Sequence, residues 1–124
     1  MDRISKDSPN LWMNALLVLY RNEPFSGVVF ETNNKKKLKI EEDYAKTEWV
    51  CKNGWVEKVC SYYEDGLLSY ECNYRMGKMN GLLKMYSKWG KLYSQKEYEN
   101  GVLVNTLKRD YRGKPLPFDK WPDL

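Results

Sequence analysis

The chain of 124 residues contains no histidine. That absence excludes Ser-His-Asp and Cys-His catalytic arrangements and every histidine-ligated metal site. Cysteine is scarce: Cys51, Cys60 and Cys72 make an odd set with no CxxC pair. A disulfide framework is not expected, and a reducing compartment is the simpler reading. Cys60 and Cys72 are expected to sit among apolar neighbours as buried thiols. No apolar run is long enough to cross a bilayer, since Leu11 to Tyr20 gives only LWMNALLVLY. The residues before it, DRISKD, mix both signs of charge and do not resemble the basic start of a secretory signal. The expectation is a cytoplasmic protein. Gly-rich phosphate loops and nucleophile elbows are also missing.

What is present is charge in both signs and a high aromatic content. Charged residues make up 31%, hydrophobic ones 42% and aromatics 15%, with ten Tyr and five Trp. The length and balance fit one soluble domain. Large amphipathic rings suit a thin structure whose side chains keep a polar tip wet. The net charge of +4 is mild and does not by itself point to nucleic acid or membrane.

The chain repeats itself. Shifted by 24 residues, Tyr62 falls on Tyr86, Gly66 on Gly90, Leu68 on Leu92, Tyr74 on Tyr98 and Gly77 on Gly101. An earlier, degraded copy starts at Gly27, and a shift of 30 sets Leu38 on Leu68 and Tyr44 on Tyr74. A partial copy, YRGKPL, closes the series at Tyr111 to Leu116. Asn53-Gly54, Asn80-Gly81, Asn100-Gly101 and Asp65-Gly66 are strong hairpin-turn pairs, because tight turns need positive φ. Gly77, Gly90 and Gly113 add further breaks, and Asn33 to Lys36 reads as a turn without glycine. Between turns the period is two. Leu68, Tyr70, Cys72 and Tyr74 alternate with Ser69, Glu71, Asn73 and Arg75, which predicts a half-buried strand. The next copy is weaker, with Ser94 and Lys96 interrupting Leu92 and Tyr98. Leu16 to Tyr20 is expected as a strand before a turn at Asn22-Glu23-Pro24. A lone hairpin is marginal in water, so repeated hairpins must stack edge to edge.

The segments YRNEPFSGVVFE, YYEDGLLSYECNYRMGKMNG and MYSKWGKLYSQKEYENG resemble MORN-type repeats, most closely the bacterial YwqK-like variant. Gly77-Lys78 with Asn80-Gly81 fits that pattern best. Glu23 and Lys36 stand where a glycine is expected. The resemblance implies an all-β fold: an open, twisted antiparallel meander of stacked β-hairpin repeats. Its division would be an N-terminal cap over 1–19, repeats over 20–113 and a cap tail over 114–124. It also implies an antitoxin or immunity protein that binds a cognate toxin, since related repeats occur in that role.

Glu41 and Asp43 share one strand face, but two carboxylates make a poor cation cage, so no metal or cofactor is expected. Lys35, Lys36, Lys37 and Lys39 could touch anionic lipid or phosphate, yet three acids follow at once; nucleic acid is the weaker partner. Without histidine, a general base would have to be Glu, Asp, Lys, Cys or Tyr, and no constellation supports catalysis. Aromatics off the buried stripe are the better candidates for a partner surface. They are Trp55, Tyr63, Trp89 and Tyr93, with Glu64, Arg75 and Glu97 as a polar rim. Two free sheet edges would also allow homodimerisation.

Overall fold

The computed structural model describes residues 2–32 and 45–109. Within them the protein is all-β: eleven strands form one open, mostly antiparallel sheet. No described helix is long and apolar enough to cross a membrane. The strands are β1 (Arg3–Ser5), β2 (Leu11–Asn14), β3 (Leu17–Tyr20), β4 (Glu23–Pro24), β5 (Gly27–Thr32) and β6 (Ala45–Lys52). They continue with β7 (Trp55–Tyr62), β8 (Leu68–Arg75), β9 (Lys78–Tyr86), β10 (Leu92–Glu99) and β11 (Val102–Arg109). From β5 to β11 each strand pairs antiparallel with the next, as a meander. β1 lies outside β5 and runs parallel to it, with Ile4 beside Val29.

The 24-residue period of the sequence is the period of the strands. β8 and β10 start 24 residues apart, at Leu68 and Leu92, and β9 and β11 likewise, at Lys78 and Val102. The connecting tips repeat bond for bond. Tyr63 N–H donates to Leu67 C=O and Ser87 N–H to Lys91 C=O, each at 2.8 Å. Gly66 N–H donates to Tyr63 C=O at 2.9 Å, and Gly90 N–H to Ser87 C=O at 3.0 Å. At the opposite end of the strands the turns are two residues long. Asn53-Gly54, Met76-Gly77 and Asn100-Gly101 all have positive φ at both positions, as such hairpin turns require.

The Asn80-Gly81 pair is not a turn. It lies inside β9, where an irregularity sets Asn73 against the stretch between Met79 and Leu83. Asn73 Nδ2 donates to Leu82 C=O there, at 2.9 Å. The apolar register decides this. Turning at Met76-Gly77 pairs Tyr70 with Met85, Cys72 with Leu83 and Tyr74 with Met79. A turn at 80–81 would move every one of those partners, and register is held wherever one face is buried.

The expectation of a uniformly thin slab fails at the N-terminal end. β2, β3 and β4 form a small antiparallel unit that covers one face of the meander. Its Val18 and Phe25 join Val29, Cys51, Val56 and Val59 in one buried cluster. Ile4, Leu11, Met13, Leu16, Trp49, Tyr70 and Tyr74 pack around it. The Asn53-Gly54 turn clasps this unit to the sheet. Val18 N–H donates to Gly54 C=O at 2.8 Å and Gly54 N–H to Phe25 C=O at 2.9 Å. A side chain on Gly54 would meet Pro24 Cβ at 3.2 Å and Val18 C=O at 3.3 Å. Leu17–Tyr20 is a strand much as the sequence predicts, but the turn after it falls on Arg21-Asn22, both at positive φ, and Glu23 and Pro24 pair with Tyr20 and Leu19 as β4 instead of turning.

Following one row across the sheet shows the core thinning. Val29, Trp49, Val59, Cys72, Leu83, Lys96 and Thr106 are successive cross-strand partners and share a face. The row begins apolar and ends polar. Leu38, Ile40 and Tyr44, the acids Glu41 to Asp43, the lysines Lys35, Lys36, Lys37 and Lys39, and the copy around Gly113 lie outside the described residues.

Candidate functional site

The seven residues singled out as one partner surface separate onto the two ends of the strands. Tyr63, Glu64 and Trp89 occupy the β7–β8 and β9–β10 tips, with Tyr93 next to the second tip in β10. Trp55, Arg75 and Glu97 lie toward the other end, beside the two-residue turns. An eight-residue strand, roughly 25 Å long, stands between the groups.

The tip group is built on rigid backbone. Ser87 is buried, and its Oγ accepts from the N–H groups of Trp89 and Lys91, both at 3.3 Å. In the neighbouring tip Asp65 Oδ1 accepts from Leu67 N–H at 3.1 Å. Tyr63 O–H donates to the Tyr86 carbonyl at 2.6 Å, which ties the two tips together. Burial pushes the Tyr93 hydroxyl pKa up, with Tyr63 adding to it. Yet Trp89 is 71% exposed, and Leu67 is exposed on the other tip. Tyr63, Glu64, Asp65 and Lys88 line a recess of about 530 Å³ between the tips. The arrangement is an ordered loop pair displaying an uncovered indole between Lys88 and Lys91.

The second group is more structural. Trp55 is half-buried, and its ring covers Gly77, where a Cβ would come within 3.2 Å of it. That contact makes Trp55 a packing residue of the β8–β9 turn. Arg75 is exposed and is the common wall of three neighbouring depressions. The largest, about 680 Å³, runs over the face opposite the core and includes Lys58, Glu71, Asn73 and Lys84. Lys58 Nζ and Glu71 stand 3.0 Å apart, and this bond raises the lysine pKa. Glu97 lines a separate depression, with Arg75 and Glu99.

On that same face Glu48 anchors the first strand. Arg3 Nη1 donates to Glu48 Oε2 at 2.8 Å and Tyr62 O–H to Oε1 at 2.7 Å. Burial pulls the Glu48 carboxyl pKa up, but the bonds from Tyr62 and Arg3 and the guanidinium charge together hold it below the ordinary range. Cys60 sits between Glu48 and Glu71 across the strands, not among apolar neighbours as its sequence context suggests. Cys72 faces the other way, toward Val59 and Leu83. Burial raises all three thiol pKa values, that of Cys51 to about 11, so they are poor nucleophiles at neutral pH. No group of three or more acidic or cysteine side chains able to hold a metal ion exists among the described residues.

Sequence reasoning missed Leu67, Lys88 and Lys91 at the tips. The signal was the repeat itself: Tyr63 to Leu67 and Ser87 to Lys91 are the same loop, 24 residues apart.

No protein-family model, no curated protein and no solved structure matches this chain.

Proposed function

We propose that the chain is a MORN-like repeat protein that binds another protein, and that its role is to neutralise a cognate toxin by covering it. The observation that carries this reading is Trp89: an indole left in water on a loop whose backbone is fixed by Ser87. Tryptophan anchors are frequent at the centres of protein interfaces. A loop already ordered loses little entropy on docking. Tyr63, Glu64, Leu67 and Tyr93 would supply the surrounding contacts, and the protein would act sterically, without chemistry of its own. Arg75 and Glu97 lie too far away to rim the same contact, so they fall outside the proposed surface.

The test is the product of the adjacent reading frame. Produced alone it should arrest growth, and co-production of this chain should restore it through a complex that purifies intact. Growth arrest unaffected by co-production would overturn the reading. Strong pelleting with anionic vesicles that salt reverses would instead favour lipid as the partner of the Lys88-Trp89-Lys91 tip.

A further inference from the structure

Three two-residue turns join neighbouring strands at the end of the sheet remote from the tips, and one of them breaks the pattern of the other two. Asn53-Gly54 and Asn100-Gly101 place asparagine, which tolerates the left-handed backbone, at the first position. The β8–β9 turn places Met76 there, at φ +49°, a conformation in which the side chain of an L-residue crowds its own backbone. Met76 is also 68% exposed. The ladder pair that closes this turn is Arg75 with Lys78, whereas Lys52 with Trp55 and Glu99 with Val102 close the others. Like charges directly opposite each other destabilise a ladder. Neither Arg75 nor Lys78, nor Lys52 nearby, makes an ion pair with a described residue. A strained backbone, an apolar side chain left in water and an uncompensated cation pair thus fall on four consecutive residues. Unfavourable local choices gathered in one place point to a use outside the fold.

We infer that the turn from Arg75 to Lys78 is a second docking site, and that its occupant is a protein segment carrying an apolar anchor side chain next to a carboxylate. Beside Met76 lies a recess of about 260 Å³, walled by Trp55, Tyr74 and Met76 together with Lys52, Arg75 and Glu57. That volume suits one large side chain and falls below the range of drug-sized ligand sites. Trp55 and Met76 offer the anchor apolar contact, and an unbranched thioether adapts to irregular partners. A carboxylate beside the anchor would bridge Arg75 and Lys78, turning a repulsive cross-strand pair into two charge-assisted hydrogen bonds. The cations therefore select the sign of the partner. An anionic bilayer fits less well, because lipid-binding clusters gather about four to eight Lys or Arg. Here Glu57 stands in the recess, and Glu97 and Glu99 share the next depression with Arg75. A single carboxylate passes between those acids where a charged plane does not. This inference does not rest on the proposed toxin contact, which lies at the other end of the strands.

Selection of a displayed library of random short peptides on the full chain tests it. The enriched peptides should carry Asp or Glu beside Leu, Met, Phe or Trp. Synthetic copies of them should bind about tenfold or more weakly to Met76→Asn and to Lys78→Glu, and as tightly as before to Trp89→Ala. Both turn variants should also unfold at higher urea than the wild type, because the first removes backbone strain and the second a repulsive pair. Weaker binding joined to greater stability marks a site kept for its partner, and misfolding does not mimic it. No acidic enrichment would overturn the inference. So would peptides that bind both turn variants as tightly as the wild type, peptides that depend on Trp89 instead, or turn variants less stable than the wild type. Pelleting with phosphatidylserine vesicles that Met76→Asn abolishes would assign the turn to lipid and overturn it as well.

Discussion

The two halves of this sheet are held by different forces. From β1 to β7 the strands have a second layer: every residue of the buried cluster, from Val18 to Val59, belongs to this half. From β8 to β11 the described buried residues are Cys72, Ser87 and Ser94, two of the three polar. Here the meander advances strand on strand, with backbone pairing as its main support. The first half therefore depends on packing, which is sensitive to single methyl groups. The second depends on turns and ladders that any side chain of suitable backbone preference can join. A protein assembled this way can leave tips exposed in its second half without endangering the first.

The sharpest way to break that comparison is a pair of glycines. Gly27 has φ +149°, and an added Cβ would lie 2.5 Å from the Asp2 carbonyl and 2.7 Å from the Phe25 ring. Gly90 has φ +82° and nothing within 4 Å of that position. Gly27→Ala should cost about 3 kcal/mol or more in urea unfolding. Gly90→Ala should cost only about 1–2 kcal/mol, the left-handed backbone penalty. Equal losses would show that the halves do not differ.

Valine truncation comes next. Val29→Ala, at a fully buried site, should cost about 2 kcal/mol. Val102→Ala should stay within about 0.5 kcal/mol. Trp89→Ala separates binding from stability: affinity for the partner should fall by about 2 kcal/mol with the thermal midpoint unmoved. An unchanged affinity would remove the tip from the proposed surface.

Ser94 sharpens the comparison from the other direction. It is 1% exposed, and its Oγ has no hydrogen-bond partner among the described residues. Ser94→Ala should stabilise the protein by about 1 kcal/mol, because an unpaired buried hydroxyl is a cost of burial. Destabilisation would mean that the hydroxyl is satisfied in solution.

The smallest expected effect is in acid. Glu48 is held below its ordinary pKa, so the unfolded chain takes up this proton at higher pH than the folded one. Stability is then present above the unfolded value, near 4.5, and is lost as pH falls through the folded value. Glu48→Gln should flatten stability against pH in that acid window by under about 1 kcal/mol. A change confined to neutral pH would contradict the assignment.

Much of the fold was legible because local chemistry repeats. Asn53-Gly54, Asn100-Gly101 and Gly66 announce turns through a positive φ that few residues accept. The alternation from Leu68 to Tyr74 announces a strand. Asn80-Gly81 misled because the same dipeptide serves a turn or an irregular strand, and only the pairing of β8 with β9 chooses between them. The candidate surface was half legible: Trp89 reads as a tip residue, but nothing local says that Trp55 lies over Gly77. Ser94 looked like an interruption of an apolar face and is nearly inaccessible.

The sequence by itself determined the unit of construction, a 24-residue stretch of two strands and their turns, since φ preference and side-chain alternation act within a few residues. Only the tertiary structure decided which units acquire a second layer, that β1 joins in parallel, and which end of the sheet each aromatic occupies. Those outcomes depend on contacts such as Val18 with Val56 or Arg3 with Glu48, between residues far apart in the chain. Their free energy exists only once the strands are already side by side.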